Sequence, residues 1–98
     1  MTQPTPPRIQ LTNVDTYREE YANSVQIRMS VWDFLLVFGK VAQTAPDTVT
    51  IYNSTGIYMS PQQAKALLNH LQQNVTQYEA AFGQIVLEPQ ATPANIVQ

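Results

Sequence analysis

Ser60-Pro61-Gln62-Gln63 opens the stretch that decides the fold, and an apolar ladder follows it: Ala64, Leu67, Leu68, Leu71, Val75, Tyr78 and Phe82. Ser60 is of the type that caps free backbone N–H groups at a helix start. Pro61 has a suitable φ and no N–H to leave unpaired, and Gln63 stands where a capping-box partner reaches back. The ladder recurs at helical spacing, and Gly83 supplies a residue that tolerates the left-handed conformation needed to stop it. These residues predict one amphipathic helix over about 61–82, roughly 33 Å long at 1.5 Å per residue. Strands are typically about 17–20 Å long. A helix of this length therefore exceeds what a small sheet needs and hints at a contact beyond one chain.

Upstream the period changes to two. Val25, Ile27 and Met29 alternate with Ser24, Gln26, Arg28 and Ser30, as a half-buried strand requires. Val31 to Val41 reads as a second strand. Trp32, Phe34, Leu36 and Phe38 share one parity, while Val31, Leu35 and Val37 take the other, so both faces are apolar apart from Asp33. Such a strand needs cover on both faces, and one helix covers one. Residues 42–47 read as a loop around Pro46-Asp47. Thr48 to Tyr52 is a β-branched strand candidate, and Gly56 allows residues 48–59 to form either one bulged strand or a hairpin. Ile85, Val86 and Leu87 offer a hydrophobic contact or a last short strand.

The chain has 98 residues, of which 12 % are charged, with a net charge of −2 and no cysteine. That charged share is about half the usual one for a soluble domain. Without cysteine, disulfides and thiolate metal sites are excluded. Arg8, Arg18, Arg28, Lys40 and Lys65 are scattered, which disfavours nucleic acid as a partner, because phosphate binding rests on clustered positive charge. Met1 to Pro7 lacks an apolar signal region, and no apolar run approaches membrane-spanning length. The expected compartment is the cytoplasm, and Asn53 and Asn74 are then chance glycosylation matches. Residues 1–20 are expected to be a flexible arm, with one helical turn at most near Asp15–Tyr21. Residues 21–87 are the folded domain, and residues 88–98 a flexible tail.

Chemistry-bearing residues are sparse. The one histidine, His70, falls off the apolar ladder with Ala66, Gln73 and Gln77 and has no nucleophile or base beside it in sequence. Glu19-Glu20 reads as a solvated pair. Lys65 and Glu79 are polar-face charges, although an acid late in a helix runs against its dipole. Asp33 lies between Trp32 and Phe34, where a buried carboxylate needs a partner; the structural readings are a solvated position at a strand start, bonds to turn amides, or a pair with Arg28 or Lys40, and the functional ones a general acid or an interface switch. Trp32, Phe34 and Phe38 read as core or interface more readily than as a base-stacking platform. No residue is offered as catalytic, cofactor-binding or metal-ligating, and no enzyme activity or cofactor is expected.

Several spaced residues resemble a family. Tyr21-Ala22-Asn23, Asp33-Phe34, Phe38-Gly39, Met59-Ser60-Pro61 with Ala64-Lys65 and Leu67, Tyr78-Glu79, and Phe82-Gly83-Gln84-Ile85 are similar to the small bacterial and archaeal family called domain of unknown function 3467. The resemblance covers roughly residues 21–85. It implies domain boundaries, but no activity, cofactor or substrate. Ala66 stands where the family usually carries a basic residue, which argues against an anionic ligand.

The expected fold is α+β: a small antiparallel sheet of three to four strands with one long helix packed on one face, the chain forming a homo-oligomer with the dimer favoured. The expected function is a non-catalytic interaction or assembly module, with an unidentified protein as a further partner. The alternative is a nucleic-acid-associated regulator that gathers Arg28, Lys40 and Lys65. Interface candidates are Trp32, Phe34, Leu36 and Phe38 on the sheet, or Leu71, Val75, Tyr78 and Phe82 on the helix.

Overall fold

The computed structural model describes residues 4–87. Strands β1 (Ser24–Met29), β2 (Phe34–Ala45) and β3 (Thr48–Met59) form one antiparallel sheet in the order β1-β2-β3, and helix α1 (Pro61–Phe82) follows. The chain is thus α+β, with three strands and one long helix.

Serine chemistry starts β2 later than the apolar pattern suggests. The Ser30 N–H donates to the Asp33 carbonyl at 2.9 Å, while Ser30 Oγ accepts from the N–H groups of Trp32 (3.1 Å) and Asp33 (3.2 Å). Such local bonds offer the backbone an alternative to the ladder. Val31 and Trp32 therefore form the tip of the β1–β2 hairpin, 84 % and 82 % exposed, and the strand expected from Val31 begins at Phe34. Asp33 belongs to this turn too, where the Ser30 hydroxyl donates to its Oδ1 at 3.2 Å.

The second hairpin is tighter than expected. Residues 42–45, read above as loop, continue β2, and only Pro46 and Asp47 make the turn. Polar Gln43 pairs with Val49 as readily as an apolar residue at a solvated sheet end; Thr44 is the extra residue at a second register shift, between Gln43 and Ala45, and its hydroxyl joins that of Thr50 at 2.8 Å. Residues 48–59 are one strand with a bulge. The β2–β3 register shifts between Phe38, opposite Thr55, and Gly39, opposite Asn53, leaving Ser54 as the extra residue. Gly39 is the residue this geometry requires. A Cβ there would lie 2.6 Å from the Tyr52 carbonyl and 2.9 Å from the Asn53 side chain.

The serine cap and the proline are as the sequence writes them, but the Gln63 side chain makes no hydrogen bond back to Ser60, so the capping box is half formed. Ser60 Oγ accepts the Gln63 N–H at 3.1 Å, and Pro61 occupies the first helical turn. At the other end Gly83 stops the helix, with φ 106° and ψ 168°. That is not the left-handed helical region but an extended positive-φ region that glycine alone enters readily. The Gly83 N–H reaches the Glu79 carbonyl at 3.0 Å, and the Ile85 N–H donates to Glu79 Oε2 at 2.9 Å. Glu79 thereby ties the segment after the helix to its last turn, which explains an acid placed against the dipole. Residues 83–87 form no strand.

The helix makes little contact with the sheet. Its half-buried residues are Pro61, Ala64, Ala66 and Leu67 in the first two turns and Glu79 near the end, and none is fully buried. The expected packing of the helix along one sheet face is therefore slight.

Candidate interaction surface

Strand register decides which side chains share a surface, because directly paired residues project to the same face. On one face the register makes three cross-strand rows: Met29–Phe34–Met59, Ile27–Leu36–Ile57 and Val25–Phe38–Thr55. Eight of those nine residues are apolar. On the opposite face the rows are Arg28–Leu35–Tyr58, Gln26–Val37–Gly56 and Ser24–Gly39–Asn53. β2 is apolar on both sides, as its sequence shows, but the sheet is strongly apolar on one. The need for cover on both faces falls away, since polar and small neighbours dilute Leu35 and Val37.

Leu36 sits at the centre of the apolar face and is 7 % exposed, the one buried hydrophobic residue among those described. Phe34 and Phe38 beside it are half-buried, whereas Ile27 and Ile57 are each 45 % exposed and Met29 is 78 % exposed. Of the four candidates on the sheet, Leu36 is thus core. Phe34 and Phe38 line the face, and Trp32 lies apart at the hairpin tip. The four helix candidates form a continuous exposed stripe from Leu71 to Phe82, with Val75 at 42 % and Phe82 at 76 %, and the Tyr78 and Phe82 rings lie 5.0 Å apart.

The arm before β1 is placed by Asn23. Its N–H donates to the Gly39 carbonyl at 3.0 Å, and its Oδ1 accepts the Val41 N–H at 2.8 Å, continuing the ladder by one residue. The preceding segment has a turn at Asp15-Thr16 and no helix. Residues 16–22 then run beside the apolar sheet face. Between arm and sheet lies an open cleft of about 450 Å³, lined by Tyr17 and Tyr21 on one side and Phe38, Thr55 and Ile57 on the other. At its rim Arg18 Nε stands 3.3 Å from Glu20 Oε2, an exposed pair of little energetic weight. Tyr17 donates to Glu19 Oε2 at 2.6 Å, and that bond to a carboxylate raises the phenol pKa above its usual 10.0.

His70 is exposed, and its backbone carbonyl accepts from the Asn74 side chain at 2.8 Å. Among the described residues no three His, Asp or Glu side chains group as a metal site would need, and no helix is long and apolar enough to cross a membrane. Ser24, 1 % exposed, keeps its hydroxyl without a hydrogen-bond partner. Arg28 and Lys40 have opposite parity about the β1–β2 register and so project from opposite faces.

Residues 1–87 match the family described as protein of unknown function, DUF3467. The chain belongs to this family. No curated protein and no solved structure matches it. The DUF3467 match takes in the arm as well as the sheet and helix, so it extends beyond the resemblance read over residues 21–85. In this member several of the residues that carried that resemblance hold backbone geometry. Asn23 pins the arm, Gly39 admits the bulge, Ser60 and Pro61 start the helix, and Glu79 and Gly83 end it. The exposed apolar stripe is a surface rather than a point motif, and the ladder at 71, 75, 78 and 82 was its signal. Asn23 and Gly39 carried no chemical signal beyond their places in the family pattern.

Proposed function

We propose that this DUF3467 protein is a non-catalytic interaction and assembly module that works as a homo-oligomer, with a dimer as the simplest closed form. One observation carries the reading: a 22-residue helix with a regular apolar stripe has no buried residue in the single chain. Helices in water draw most of their stability from packing such a stripe, not from intrinsic propensity. A stripe exposing Leu68, Leu71, Val75, Tyr78 and Phe82 together is the kind of contiguous patch that marks an interaction surface. The nucleic-acid alternative loses support from the opposed placement of Arg28 and Lys40.

Light scattering over a dilution series tests this. The expected result is a mass of two chains or a higher multiple, falling to one chain for Val75→Glu with the far-UV spectrum of the sheet retained. A one-chain mass for the natural sequence at every concentration would overturn the reading.

A further inference from the structure

Two apolar surfaces of this chain are left open, the helix stripe and, around the buried Leu36, the sheet positions Ile27, Met29 and Ile57. Resting on the homo-oligomer reading, we propose that they cover each other between two copies: the helix of each chain lies across the apolar sheet face of its partner, in a reciprocal two-fold dimer.

The chain connection points to a partner rather than to self-coverage. Ser60 is the whole link between β3 and α1, and its side chain is already engaged in the helix cap. Connections between packed elements usually take about 2–6 residues. A one-residue link with a capping serine and a proline behind it does not let the helix fold back over the sheet it has just left. The exposed stripe accordingly starts at Leu68, two turns into the helix.

The two surfaces also match in size and character. The stripe from Leu68 to Phe82 is about 21 Å long at 1.5 Å per residue. The three apolar rows span about 13 Å along the strands and 10 Å across them, a diagonal of about 17 Å. With Leu68, Leu71 and Tyr78 also half or more exposed, the stripe together with Ile27, Met29 and Ile57 leaves on the order of 900 Å² per chain, so a reciprocal pair covers at most about 1,800 Å², within the roughly 1,200–2,000 Å² of a stable specific interface. Pairing like with like, helix on helix or sheet on sheet, leaves one of the two surfaces open; the reciprocal contact closes both.

Charge gives the direction. Lys40 continues the Phe34, Leu36, Phe38 parity at one end of the apolar face, and Glu79 flanks the stripe beside Tyr78 and Phe82. Placing opposite charges together sets the aromatic end of the helix at the partner's Phe38 and Ile57, where the arm forms the second wall of the cleft.

The cysteine-free sequence makes the contact directly testable. Tyr78→Cys and Ile57→Cys are made in separate, differently tagged full-length chains, co-expressed and treated with a short bismaleimide. Linkage between Cys at 78 of one chain and Cys at 57 of the other is expected as the dominant product, with little self-linkage of either variant. Dominant 78–78 linkage would mean helix-on-helix pairing, and dominant 57–57 linkage sheet-on-sheet pairing; either overturns the proposal, as does no linkage at all in a sample whose mass is still that of a dimer. A one-chain mass in the unmodified protein is the separate failure of the homo-oligomer reading. Val75→Glu and Ile27→Glu supply a second check. Each alone should give monomer, and mixed together they should recover dimer, because one of the two helix-on-sheet contacts is then intact. Absence of recovery would count against reciprocity.

Discussion

β2 and α1 each carry a regular apolar pattern in sequence and differ in what becomes of that surface. In β2 the sheet neighbours Ile27 and Ile57 flank Leu36, and it is 7 % exposed. In α1 Leu71 occupies an equally regular apolar position and is 53 % exposed. The difference lies in the connections. The turns at Ser30–Asp33 and Pro46-Asp47 pair the strands with each other, whereas the helix, which follows β3 after the single residue Ser60, makes little contact with the sheet. An apolar pattern states that a face must be covered; the length of the adjoining turn decides whether the same chain can do it.

Substitutions at matched positions sharpen that contrast. Leu36→Ala is expected to cost about 2–5 kcal/mol in urea unfolding at fixed protein concentration, the usual penalty for truncating a buried leucine. A cost under about 0.5 kcal/mol, the level of surface substitutions, would remove Leu36 from the core. Leu71→Ala is the counterpart. It should destabilise by about 2 kcal/mol or more where the chain is assembled, and by no more than about 0.5 kcal/mol where dilution has dissociated it. Equal small effects at both concentrations would show an uncovered stripe.

Gly39→Ala should follow at about 1–3 kcal/mol, because its Cβ meets the Tyr52 carbonyl and the strands must part to admit it. A neutral result in the same unfolding assay would mean that the bulge does not bring Tyr52 so near. Ser60→Ala is expected to be the smallest, about 0.5–2 kcal/mol from the lost bond to the Gln63 N–H. Unchanged stability would place the helix start elsewhere.

Much of this was legible in the residues, and the exceptions have physical causes. The helix bounds at Pro61 and Phe82 follow from a capping serine, a proline and a glycine, all of which act locally. The β1 alternation was equally plain. Strand β2 was misplaced at both ends because hydropathy does not register what serine and threonine do. Ser30 bends the chain before Phe34, and Ala42, Gln43 and Ala45 carry the pairing past Val41, with the Thr44 hydroxyl tied to Thr50. Cover on both sides of β2 was overestimated since a strand's own sequence omits its neighbours, and Arg28, Gln26 and Gly56 appear beside it only through register. Among the interface candidates, Trp32 shares the parity of Phe34 in sequence but not its surface, because the turn intervenes.

The central claim is that another chain covers the apolar stripe of α1, and amide hydrogen exchange measures this most directly. At high protein concentration, residues 68–82 should exchange as slowly as the middle of β2, and dilution should speed the helix more than the strand. A lone helix exposed along its length is only marginally stable in water. Fast exchange over residues 68–82 at every concentration, beside a protected β2, would contradict the account.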